Sequence, residues 1–96
     1  MANETVLSVS NSASPLYIAS KLADRIRTDG VAMVEALNSP AIANAMKAVV
    51  LCRSFVERPG FDLHVIPSFV EWDLFDEPRT ALRLTVVWGE AAERTP

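Results

Sequence analysis

The chain has one cysteine and one histidine in 96 residues. Cys52 alone cannot close an internal disulfide, and His64 alone cannot build a histidine-rich metal site. The fold must hold by packing, and a reduced, cytosolic setting suits it. Glycine occurs only at positions 30, 60 and 89. That excludes glycine-rich phosphate loops of the dinucleotide or P-loop type. Positive charge is short: nine Lys and Arg face twelve Asp and Glu, a net charge of −3. A strongly basic binder of the histone sort is excluded, although a local basic patch is not. The longest unbroken apolar stretch inside a predicted helix, Ala48 to Cys52, is far short of the ~20 residues of a membrane span. Met1-Ala2-Asn3-Glu4 is polar and acidic, unlike a signal peptide. No membrane partner, metal or cofactor is therefore expected, and the expected location is cytoplasmic.

What the chain does have is apolar residues, at 50%, with 22% charged. That is a globular composition. Residues 1–96 make one domain, with a core of about 5–88 and a tail at 89–96. A domain this small has a thin core, and self-association would help it.

Glu4 to Ser10 alternates like a short strand. Ser14-Pro15 starts a helix, with Ser as cap and Pro in the first turn. Ile18, Ala19, Leu22, Ala23 and Ile26 mark its apolar face. Gly30 stops it in the left-handed conformation. Val31 to Leu37 is apolar apart from Glu35, as a strand buried on both faces, or central in a sheet, would be. Ser39-Pro40 repeats the cap-and-proline start of a helix running to about Glu57, with a stripe of Ile42, Ala45, Met46, Val49, Cys52 and Val56. Pro59-Gly60 breaks it. Phe61 to Asp76 is a long β region in which Pro67 marks a bulge or an edge position. Asp76-Glu77-Pro78-Arg79 reads as a turn, and Thr80 to Trp88 as the closing strand. The order β-α-β-α-β-β predicts an α/β fold, a two-layer sandwich with a parallel first pair of strands and a terminal hairpin.

Catalytic motifs are missing. A Ser-His-Asp site would have to recruit His64, which stands beside Asp62 in an alternating strand and reads as a rim histidine. Cys52 on an apolar helix face reads as a small core hydrophobe. Glu35 is the odd residue. Buried carboxylates have raised pKa values and can be functional; the plainer reading is a partner from a neighbouring element, or solvent at an open sheet face. No enzyme is expected.

The charges are unevenly spread. Residues 15–58 carry six basic and four acidic groups, whereas residues 59–96 carry three basic and seven acidic ones. The helical half is mildly basic and the hairpin half acidic. Two helix N-termini, after Ser14 and Ser39, present backbone N–H groups that suit a phosphate.

Four segments now line up with a known family: V-S-x-x-x-S-P at Val9 to Pro15; N-A-M-K-A-V-V at Asn44 to Val50, followed by Arg53 and Phe55-Val56; D-L-x-x-I-P-x-F at Asp62 to Phe69; and R-T-A-L-R-L-T-V at Arg79 to Val86. On these the chain resembles the stage V sporulation protein S family of bacteria, in the Alba-like group. The resemblance implies the Alba-like fold, nucleic-acid binding (RNA or DNA) with low sequence specificity, a regulatory role in development, and a dimer or higher homo-oligomer. It carries nucleic-acid contacts onto Asn44, Lys47, Arg53 and Arg79. The first loop, Asn11-Ser12-Ala13, has no basic residue where Alba-like proteins place lysine. The hairpin tip is acidic except at Arg79. An alternative follows: an interaction module that kept the fold and lost the nucleic-acid surface. Phe69, Trp72, Phe75 and Trp88 are its candidate interface residues, because aromatics are enriched at interface cores.

Overall fold

The computed structural model describes residues 6–92. The element order is β1 (Val6–Val9), α1 (Pro15–Asp29), β2 (Val31–Ala36), α2 (Ser39–Phe55), β3 (Phe61–Leu74) and β4 (Glu77–Glu90). The sheet order is β1-β2-β4-β3, with β1 parallel to β2 and the other pairs antiparallel. Glu4 and Thr5, expected in the first strand, lie outside the described residues, as do residues 93–96 of the expected tail.

Both helices cover one face of the sheet. Ile18, Ala19, Leu22, Ala23 and Ile26 of α1 are all buried, as their spacing predicts. They meet Ala32, Val34 and Ala36 of β2 and Leu84 and Val86 of β4 in one core. The stripe on α2 is rotated from the expected one. Ala41, Ala45, Ala48, Val49 and Cys52 are buried, while Met46 is exposed and Ile42 only partly covered. Small side chains let α2 pack closely against its neighbours, and the bulkier Met46 is left outside. Arg27 of α1 donates to the Phe55 carbonyl at 3.0 Å, satisfying an open acceptor at the C-terminus of α2.

The helix ends follow local chemistry. Gly30 takes φ +78° and its N–H bonds the Ile26 carbonyl. Asn38, not Ser39, caps α2: its side chain accepts from Ala41 N–H at 3.1 Å. Asn caps at least as well as Ser, and Ser39 and Pro40 then fill the first turn, where Pro loses no hydrogen bond. The helix ends at Phe55, two residues short of the expected Glu57, with Val56 as C-cap.

Pro67 sits on an edge strand with the register intact on both sides, so there is no bulge. Trp88 N–H donates to Gly30 and Ala91 N–H to Gly60. Antiparallel alternation then turns the N–H groups of odd-numbered β3 residues to the outer edge. Phe61 N–H bonds the Arg58 carbonyl, Leu63 N–H bonds the Asp62 carboxylate, and Pro67 has none. The base of β3 is thus a blunted edge that resists strand addition.

The hairpin differs from expectation at its tip. The turn is the two-residue Phe75-Asp76, with φ of +51° and +63°, and Leu74 already pairs with Glu77. Glu77, Pro78 and Arg79 belong to β4, which runs on through Gly89 and Glu90, two residues into the expected tail. Pro78 is tolerated because β2 has ended: its last residue, Ala36, pairs with Leu82. A Phe in the left-handed region is unusual, since such tight turns favour Asn and Gly.

Because the register is continuous, the apolar phase change at Pro67 places two runs on opposite faces. Leu63 and Val65 pack under the helices. Val70, Trp72 and Leu74 face the side without helices, where Ala81 is buried apart from the main core. Glu35 is on that side, only 6% exposed. Trp72 Nε1–H donates to its Oε1 at 2.6 Å; Arg83 Nε donates to Oε2 at 2.8 Å, with Nη2 2.6 Å from the same oxygen. Trp72 pairs in the ladder with Arg79, four residues beyond Arg83, so it reaches back along the hairpin to clamp it down.

Two stability outcomes are expected. Glu35→Ala leaves Arg83 and the Trp72 N–H without their acceptor and should cost about 2 kcal/mol by urea unfolding, below the fully buried range because Arg83 is partly solvated. Phe75→Asn should raise the stability of the single chain by roughly 0.5–1 kcal/mol in the same assay at protein concentrations too low for self-association, by relieving backbone strain at the tip.

Candidate nucleic-acid interface

Since β1 and β2 are parallel, α1 and α2 both begin at the same end of the sheet. Ser14 Oγ accepts from Tyr17 N–H at 3.3 Å, and Asn38 caps α2. Neither first turn contains an acidic residue, so both positive helix ends stand uncancelled there. The loop after β1 is bound into this end. Asn44 Nδ2 donates to the carbonyls of Ser10 (3.3 Å) and Asn11 (2.9 Å), and Asn38 Nδ2 to Asn11 Oδ1 (3.3 Å). The register also sends the far half of the hairpin past this end, because Leu82 of β4 is the last residue to pair with β2. Loop, two helix starts and hairpin arm therefore share one end of the molecule.

The four residues carried over from the family motif occupy different places. Asn44 is tied to the backbone and shapes the loop. Lys47 is exposed on the helix layer, and Arg79 is exposed on the hairpin arm at the open face. Neither makes an ion pair among the described residues. Arg53 is at the opposite end, in a bidentate pair with Asp62 at 2.7 and 2.8 Å. One chain does not gather these four side chains into a single patch.

The aromatic candidates also divide. Phe69 is 78% and Phe75 99% exposed. Trp72 is engaged with Glu35. Trp88 flanks the core and lies 5.0 Å from the Phe61 ring, tilted by 34°, with the Arg58 guanidinium over both rings at 5.4 and 4.7 Å. The Arg58 stack had no sequence signal beyond Pro59-Gly60, which turns the chain back there. Glu35 was visible as an anomaly, but not its two partners.

The reactive groups are occupied or inert. His64 Nε2 lies 2.9 Å from the Glu90 carbonyl, so Nε2–H is the donor and the ring belongs to the rim. Burial pushes the Cys52 thiol up to about 11, against a smaller opposing pull from Arg27. A protonated thiol is a poor nucleophile at neutral pH. Among the described residues, no group of three or more His, Cys, Asp or Glu could hold a metal ion. Among them, too, no helix is long and apolar enough to cross a membrane.

Two helices packed on one face of a four-stranded β1-β2-β4-β3 sheet, with a long terminal hairpin, define a two-layer Alba-like α/β domain. The family model for stage V sporulation protein S matches residues 5–89. The chain belongs to that family, and so is a small sporulation-related protein.

The Arg53–Asp62 pair gives this region a pH signature. Hydrogen bonds from Arg53, then from Leu63 N–H, hold Asp62 below its ordinary value of 3.8. A depressed carboxyl contributes stability above its unfolded pKa and loses it as pH falls through the folded one. Arg53→Met should therefore lower the urea midpoint at pH 7, and the gap from the unaltered protein should close as pH drops below about 4. An equal gap at pH 2.5 and pH 7 would show that packing, not charge, is the cause.

Proposed function

We propose that this chain is a regulatory nucleic-acid-binding protein that grips the phosphate backbone with low sequence specificity and acts as a dimer. The carrying observation is the shared end face. Two acid-free helix N-termini flank a loop held by three side-chain hydrogen bonds, and the arm bearing Arg79 projects past them. Phosphate oxygens suit such N–H groups, and such contacts position without reading sequence. Arg79 and Lys47, exposed and without an ion pair among the described residues, supply the cations, and Asn44 builds the loop. Arg53 contributes little, because Asp62 already neutralises it. Since Lys47 and Arg79 lie on different layers of one chain, a second subunit supplies the cation that one copy lacks on each face. The exposure of Phe69 and Phe75 favours a second reading, a protein-interaction module on the same fold.

Fluorescence anisotropy with short RNA and DNA separates the two. Binding at ~50 mM salt should weaken steeply as salt rises, with the log–log slope falling by nearly one unit for each phosphate contact removed. Lys47→Glu and Arg79→Glu should each reduce binding, and Arg53→Glu much less. No binding at tens of micromolar protein at that salt would leave the interaction module as the function.

A further inference from the structure

We propose that the hairpin tip is a docking knob, with Phe75 seated in a groove of mixed apolar and charged lining at the hairpin base of a second copy of this chain. Three observations point to it. Phe75 is 99% exposed and held at φ +51°, so the turn keeps a bulky apolar side chain in a conformation that suits glycine or asparagine. Such strain persists where the residue has a use. At the other end of the hairpin, Val50, Ser54, Leu63, Phe61, Trp88 and Arg58 line an open groove of about 780 Å³. That is ample for a phenyl ring and its flanking backbone.

The charges match locally. Asp73, Asp76 and Glu77 surround Phe75 without an ion-pair partner among the described residues. The Arg58 guanidinium stacks on Phe61 and Trp88 and likewise faces no carboxylate within ion-pair distance among the described residues. Of the groove's own carboxylates, Asp62 is neutralised by Arg53, and Glu57 is exposed. Tip carboxylates beside Arg58 would complete both halves, and the same carboxylates disfavour a nucleic-acid backbone as the partner of the tip.

The occupant must be another molecule. Each hairpin strand has 14 residues, and at ~3.3 Å per residue it separates tip from groove by about 45 Å. Two copies with antiparallel hairpins, each tip in the other's groove, close around a two-fold axis. The blunted base of β3 removes the competing route through strand addition. The contact rests on the dimer part of the proposed function and not on its nucleic-acid part.

Sedimentation equilibrium of the whole chain tests it. The wild type should show twice the 10.5 kDa chain mass. Phe75→Asn, which keeps the fold, should raise the dissociation constant about tenfold or more, and Arg58→Ser should act in the same direction. In a Cys52→Ala background, Phe75→Cys mixed with Ser54→Cys should form the mixed disulfide in preference to either homodimer. A monomer at all concentrations overturns both the contact and the dimer. A dimer that Phe75→Asn leaves intact, or one whose disulfide joins Phe75→Cys to itself, overturns the contact alone. Anisotropy on the same samples reads nucleic-acid binding separately, so a dimer sensitive to Phe75→Asn that binds no RNA or DNA supports the contact and refutes that activity.

Discussion

The Glu35 carboxylate, buried on the face without helices, organises the part of this molecule that a small α/β core does not. A buried charge is costly unless its oxygens are satisfied. Here Arg83 and the Trp72 indole satisfy them, one from within the sheet and one from the arm beyond it. Trp72 must curl back to reach Glu35, and the distal hairpin follows. The arm is thereby positioned relative to the end face where both helices begin. Without that clamp, a two-stranded ribbon projecting from the sheet would have little to hold its direction.

Around this fixed point the charges sort by what they touch. Arg53 and Arg83, which look alike in a list of cations, are each tied to a carboxylate within hydrogen-bond distance. Arg58 lies over two aromatic rings. Lys47 and Arg79 are left to meet solvent or a partner. A net charge of −3 therefore says little about the end face, where uncancelled helix dipoles and a bound loop govern what an anion meets. The acidic tip, by contrast, surrounds an exposed ring.

Much of the architecture was legible because it rests on short-range rules. Periodicity located the α1 face and Gly30 its stop, and of the bulge or edge position that Pro67 marked, the structure has the edge. The misplaced details had local causes as well. Asn38 competed with Ser39 for the cap, and small residues rotated the α2 stripe away from Met46. The turn moved to Phe75-Asp76 because register, set by the long ladder with β4, outweighs the turn preference of Asp76-Glu77-Pro78-Arg79. The candidate site was legible only as residue types. That Asn44 holds a loop and Arg53 holds Asp62 depends on partners 34 and 9 residues away.

By itself, the sequence determined the element order, the buried face of α1, the absence of an internal disulfide staple, and the family. Those follow from spacing along one chain and from side-chain type. Tertiary structure alone decided which cations stay free, which tryptophans are engaged, and that two helix starts and a hairpin arm meet at one end. Pairing and exposure depend on distances across the sheet, and hydrophobic pattern does not encode those distances: it records which face is buried, not what lies opposite.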